Sequence, residues 1–313
     1  MYPPLPSRKV DFKQQRDFSA IFSAAFKFLK FNFKNMTLAV LALPGPLLMI
    51  AGGLNGYMQA AGTDFNSMLG MNAIQDPMQI VSEIISVMIP FIIVAMLAGI
   101  VYSAVISRYL ILSQQKQEGE EVTVAELIRF LPKDAWRLFY NYLLLGLVSI
   151  LVILGIVLIA FIPILGAIVI VVGLLLIWPN LSYALRNASY LVLKDEISIL
   201  AAIKKTFRYM RGHWWSTWGI VFCASMIIGL ASLVFTMPQA VYNMMNTFSR
   251  MRADSGDDDN SITLIVLAII AMVGQYTLMP LFNVFCALIY HSHEEEEEGT
   301  ALKSKIDEIG LNS

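Results

Sequence analysis

The stretch Asp195–Gly219 reads DEISILAAIKKTFRYMRGHWWSTWG, and the rest of the chain is organised around its pattern. Ser198 suits a helix N-cap, where a hydroxyl oxygen accepts a bond from an otherwise unpaired backbone N–H. Ile199, Ile203, Phe207 and Met210 then recur at helical spacing and predict one apolar face. Lys204, Lys205, Arg208 and Arg211 supply the other side. Gly212 marks a stop, since glycine is the usual residue just past a helix end. Trp214, Trp215 and Trp218 follow, and indole rings prefer the depth where lipid meets water. The reading is an amphipathic helix on the cytoplasmic face of a membrane, followed by a span that enters the bilayer.

Working outward, the same pattern occurs twice more. Asp17-Phe18-Ser19 and Glu121-Val122-Thr123 match Glu196-Ile197-Ser198 as acid, apolar residue, hydroxyl. Thr123 and Glu126 have capping-box spacing. In the first copy Phe18, Phe22, Phe26 and Leu29 form the apolar face, with Lys27, Lys30 and Lys34 beside it. The second copy, with Leu127, Phe130 and Leu131, is expected to break at Pro132. Phe31, Phe33, Trp136 and Phe139 mark the interface. Tyr102/Tyr109, Tyr183/Tyr190 and Asn283/Tyr290 each lie two helical turns apart, on one face. These echoes predict three helix-plus-hairpin units, 17–112, 121–193 and 196–291.

Composition agrees with a bilayer as solvent. Of the 313 residues 57% are hydrophobic and 14% charged, with a mean hydropathy of +0.66; soluble domains run near 45–50% and about 25%. About 20 apolar residues cross a bilayer core, and six stretches qualify: Thr37–Tyr57, Ile84–Leu112, Tyr140–Phe161, Ile164–Leu193, Trp214–Met237 and Ile262–Tyr290. Of the 22 lysines and arginines only Arg250 and Arg252 fall on the non-cytoplasmic side of that arrangement, which places both termini in the cytoplasm. The fold class is therefore an all-α integral membrane protein. It has six transmembrane helices, three interfacial helices and a single membrane domain over residues 1–293. Residues 294–313 form an acidic cytoplasmic tail.

Chemistry-bearing constellations are sparse. His291-Ser292-His293 runs into Glu294–Glu298 and reads as a solvated tail rather than a metal site. His213, alone beside Trp214, reads as structural. Several methionines lie outside the spans, including Met58, Met68, Met71, Met78, Met244, Met245 and Met251, but their irregular spacing argues against copper. Cys223 and Cys286 read as buried side chains. Asn180, Gln275 and Asn283 are the clearest polar groups at membrane depth, with no mid-span carboxylate of the kind ion-coupled transporters use. Prolines 44, 46, 90, 163, 179 and 280 are expected to kink helices. No Gly-x-x-x-Gly seam stands out. No catalytic residue, cofactor or metal follows. A net charge of −1 gives no field for nucleic acid. The partners expected are the bilayer, anionic lipids through Lys27, Lys30, Lys34, Lys204, Lys205, Arg208, Arg211, Trp214, Trp215 and Trp218, and a membrane protein.

The block ISILAAIKKTFRYMRGHWWSTWGIVF resembles an element of multi-pass bacterial membrane proteins of the YciC type. It also resembles the membrane domain fused to some glycerophosphodiester phosphodiesterases. The likeness rests on Ser198, the Lys204–Arg211 helix and the Arg211-Gly212-His213-Trp214-Trp215 step. It covers the third unit. The phosphodiesterase barrel is missing, so that activity is not implied. The resemblance carries no chemistry over to particular residues, and the function expected is that of a non-enzymatic bacterial inner-membrane protein serving as a scaffold or assembly factor for envelope components. The alternative is a transporter or lipid-handling protein.

Overall fold

A computed structural model describes residues 10–60, 84–117, 119–160, 165–251, 261–299 and 306. The Met68, Met71 and Met78 loop, the turn at Pro163, the acidic run 254–260 and nearly all of 300–313 lie outside them. The chain is all-helical, with 89% helix and no strand among the described residues. In order the helices are α1 (Phe18–Ala42), α2 (Gly45–Ala60), α3 (Ile89–Gln115), α4 (Val124–Ala160), α5 (Leu165–Lys194), α6 (Ile199–Met210), α7 (Trp214–Met251) and α8 (Ser261–Glu298). A π-helical turn, Ile84–Met88, leads into α3.

Three of these helices are long and apolar enough to cross a membrane: Ile85–Gln115, Trp214–Asn246 and Ser261–Glu298. The pair α1 and α2 makes a fourth candidate if its 62° bend lies within one span. Outward faces carry large apolar side chains in rows, such as Leu143, Leu147, Ile150 and Leu154 on α4 and Leu230, Val234 and Met237 on α7. Such rows are what a lipid-facing helix presents.

The expected helix boundaries change in two places. The first amphipathic stretch and the span after it are one helix: α1 runs straight through Phe31 and Phe33 to Ala42. The break falls at Leu43–Pro44 instead, where the Pro44 nitrogen has no hydrogen to offer Val40 and Pro46 sits in the first turn of the next helix. The second amphipathic stretch does not end at Pro132, because α4 carries that proline inside it. The helix is held there by Arg108, which reaches both oxygens of buried Asp134 at 2.6 and 2.5 Å and lies 4.7 Å over the Phe130 ring. Of the three amphipathic stretches only α6 stands as a separate helix. At the start of α1 the cap is Asp17, whose carboxylate accepts from the Ala20 N–H at 2.7 Å, rather than Ser19.

The chain divides into two compact units. One comprises Met1–Met36, Ser103–Ile227 and Pro280–Ser313; the other comprises Thr37–Tyr102 and Ile228–Met279. In the first, α5 packs chiefly on α6 and α4. Tyr109, Tyr183, Tyr290, Leu191 and Phe285 are fully buried there, so the seven-residue tyrosine spacing marks an inward face. In the second unit, Gly52 and Gly56 form a Gly-x-x-x-Gly seam after all. A Cβ at Gly56 would stand 2.5 Å from the Ile265 Cα, and one at Gly52 2.8 Å from the Ile269 Cα. Both glycines let α2 approach the backbone of α8, as small residues do where helices meet in lipid. Gln59 closes the same unit, bonded to Asn55, Gln239 and Asn243.

Candidate functional site: a buried tyrosine, histidine and carboxylate network

The first unit gathers buried tyrosines, histidines and Glu294 where α5, α6 and the last turns of α8 meet. Each end is fixed locally. Ser198 caps α6, its hydroxyl oxygen accepting from the Ala201 N–H at 3.4 Å. The Asn141 side chain from α4 takes the Ile199 N–H at 2.7 Å. Gly212 ends the helix with φ +92°, a left-handed conformation only glycine adopts freely. At the start of α4, Thr123 and Glu126 form the reciprocal capping box, at 3.0 and 3.4 Å. Lys116, 2.8 Å from Glu126, and the Thr123 bonds hold that carboxyl below its usual value.

At the centre lies His291, with no exposed surface. One ring nitrogen, Nδ1, is 2.7 Å from Glu294 Oε2 and the other, Nε2, is 3.0 Å from the Tyr190 hydroxyl. With Glu294 ionised, Nδ1–H donates to the carboxylate and Nε2 accepts from Tyr190; the tautomer is assigned from this pattern. Gln114 donates to the Tyr190 oxygen at 3.0 Å, and Tyr290 donates to the other Glu294 oxygen at 3.1 Å. Lys194 and Lys205 each stand 4.0 Å from Glu294. Lys205 binds Asp195 at 2.6 Å. Burial lowers the Lys194 pKa, while Glu294 and Asp195 pull it back up. Tyr209, bonded to Glu298, is pushed up to about 12, first by burial and then by that bond.

The segment before α1 closes this network. Phe12 packs edge-on against His291 and Phe28. The Arg16 N–H donates to the Ser292 hydroxyl at 2.8 Å, and that hydroxyl donates back to the Arg16 carbonyl at 3.2 Å. Both His291 nitrogens and both Glu294 oxygens are thus committed to protein partners. Next to it the His213 and His293 rings lie with centroids 4.7 Å apart, tilted by 33°, and His213 lies 3.5 Å from Glu296. No group of three or more His, Cys, Asp or Glu placed to hold a metal ion occurs among the described residues.

The His/Glu run is the end of α8 as far as Glu298; His291, Ser292 and His293 are buried and Glu294 and Glu295 half-buried, whereas Glu296, Glu297 and Glu298 are exposed. The sequence signal for this was available. Tyr290 continues an inward seven-residue face, and His291 and Glu294 are three apart.

The expected membrane-surface residues separate into groups. Lys30, Lys34, Lys204, Arg208, Arg211 and Trp215 are exposed, and Lys27 and Trp214 are half-buried. Lys205 instead turns inward to Asp195. Trp218 donates its indole N–H to the Leu175 carbonyl at 3.1 Å. That carbonyl is the one Pro179, four residues on, leaves without a helical donor, so Trp218 ties α7 to α5 where its helical hydrogen-bond ladder lacks one bond. The inward face of α6 is Ile199, Ala202, Thr206, Tyr209 and Met210. Ile203 and Phe207 flank it, half-buried. Comparison with known protein families, with curated proteins and with solved structures finds no match for this chain.

Proposed function

We propose that this protein is a non-enzymatic, multi-pass scaffold or assembly factor of the bacterial inner membrane. In this reading it has six spans and both termini in the cytoplasm, and α6 is its contact surface. The observation that carries the reading is the division of labour on α6. Lys205 and the inward face anchor the helix to α5 and to the His291 network. Lys204, Arg208 and Arg211 stay outside. A rigidly held basic ridge next to exposed Trp215 suits an acidic surface on a membrane partner. The threefold echo of capped basic helices belongs to the same proposal, with α1 and the start of α4 as the other two copies.

The test is crosslinking in native membranes followed by purification. A partner should be captured by the natural protein and lost on Lys204→Glu, Arg208→Glu and Arg211→Glu together. Recovery of the chain alone after crosslinking overturns the reading. A second reading, lipid handling, is favoured by the half-buried Ile203 and Phe207 and exposed Leu200 beside that ridge. An apolar flank below basic side chains matches anionic headgroups, at about 1 kcal/mol per nearby Lys or Arg. It requires the same triple variant to lose retained anionic lipid in nanodiscs.

A further inference from the structure

The acidic last turn of α8 lies against the basic ridge of α6, within the first unit. Glu296 stands 3.5 Å from His213 Nε2, just past the end of α6. The Tyr209 hydroxyl donates to Glu298, and the Arg208 guanidinium sits 5.1 Å over the Tyr209 ring. The Arg208 pKa is raised, first by a bond to Tyr209, and Glu297 and Glu298 add to the shift. These acids occupy an adverse place. Glu294–Glu298 fill the C-terminal end of a helix, where the macrodipole favours cations. Glu294 and Glu298 are four apart, and like charges at that spacing repel. The final helical bond runs from the Gly299 N–H to the Glu295 carbonyl at 2.9 Å, and Glu296, Glu297 and Glu298 are exposed. The Arg208 charge and the contacts to Tyr209 and His213 offset that repulsion.

An acid tethered beside a basic ridge competes with any acidic surface that docks there. Its effective concentration is on the order of mM for a short tether, so isolated carboxylates on a passing protein displace little of it. A dense acidic run can take Arg208 from Glu297 and Glu298. The last turn of α8 then loses its counter-charge, and an exposed helix end with few contacts opens at low cost. We propose that the acidic end of α8 is a displaceable latch on the α6 ridge, which withholds Arg208 until a densely acidic segment of a partner protein takes its place. The latch rests on the scaffold reading, in which α6 is the contact surface. It adds the chemistry of the partner, a run of carboxylates, and the step that gates the contact. Negative charge already in place also rejects weakly acidic partners, which is specificity by competition.

Two measurements on the full chain, in neutral phosphatidylcholine nanodiscs at low salt, decide this. The first is titration with a labelled hexaglutamate peptide. Glu296→Gln, Glu297→Gln and Glu298→Gln together remove the competing charge and keep side chains of equal helix propensity. Exposed contacts of this kind are weak, so the triple variant should bind the peptide roughly 3- to 10-fold tighter than the natural protein. Equal affinity overturns the latch and leaves the scaffold reading standing. Binding to neither protein overturns both. Lys204→Glu, Arg208→Glu and Arg211→Glu together should abolish binding; binding that survives them places the peptide elsewhere and overturns the latch. The second measurement is hydrogen exchange on the natural protein. Saturating peptide should speed exchange several-fold at amides 296–299 and leave those of the buried stretch 284–290 unchanged. An end of α8 that stays equally protected with the peptide bound overturns the latch.

Discussion

Neighbouring lysines on α6 serve different ends. Lys205 gives its charge to Asp195 at 2.6 Å with both side chains about three-quarters buried, whereas Lys204 is exposed. Lys205→Ala strips a part-buried carboxylate of its partner and should cost about 1–3 kcal/mol in thermal or denaturant unfolding. Lys204→Ala should stay within about 0.5 kcal/mol. Equal effects would mean that α6 is not held through Lys205. The capping box at α4 gives a pH dependence of definite sign. Glu126 is held below its unfolded value, chiefly by the Lys116 bond and then by Thr123. A depressed carboxyl stabilises above the unfolded pKa and loses that contribution as pH falls through the folded one. Unfolding monitored from neutral pH down through the acidic range should therefore show a decline that Glu126→Gln abolishes in part. Ser198, Thr123 and Gly212 were legible in the sequence because caps obey local backbone rules. The inward turn of Lys205 was not, because sequence spacing says which residues share a side of a helix and not which charge lies within reach of Asp195.

The helix proper was harder to read than its ends. On α6 the apolar count favours Ile203 and Phe207, yet Ala202, Thr206 and Tyr209 turn inward, since a helix at a membrane surface has two apolar directions and the pattern alone does not rank them. Proline also misled: Pro132 is absorbed within α4, while Pro44 breaks the chain. A proline's effect depends on whether neighbouring groups hold the helix together, as the Asp134–Arg108 pair does. The Gly52/Gly56 seam was visible as spacing, but its value rests on which helix lies opposite. Gly56→Ala places a methyl 2.5 Å from the Ile265 backbone, and rigid backbone cannot give way as a side-chain tip can. It should destabilise by about 1–3 kcal/mol. Gly229→Ala on α7, with open space at its Cβ, should be neutral or stabilise by up to about 1 kcal/mol. Thermal unfolding of the two variants in the same nanodiscs compares them; a Gly56→Ala protein as stable as Gly229→Ala would remove the close α2–α8 approach.

For the whole molecule the membrane assignment follows from apolar length and outward apolar rows, and those are composition-level properties that sequence carries well. Among the described residues three helices, or four with the bent pair, meet the length and apolarity requirement. The step to six depends on whether α4 and α5 form a crossing hairpin, and Pro163 is the residue at which that hairpin would turn. Single cysteines placed in a Cys223→Ser background, with Cys286 buried, settle the topology by labelling with a membrane-impermeant maleimide in right-side-out and inverted vesicles. Under six spans, Pro163→Cys and Ser261→Cys react only from the outside, and Lys30→Cys and Arg208→Cys only from the cytoplasmic side. The basic residues make the second half of that outcome a direct consequence of the positive-inside rule. If Pro163→Cys reacts from the cytoplasmic side while Ser261→Cys still reacts from the outside, α4 and α5 do not cross. The outward leucines of α4 would then lie along the cytoplasmic leaflet, and the protein would carry a far larger interfacial surface than α6 alone provides.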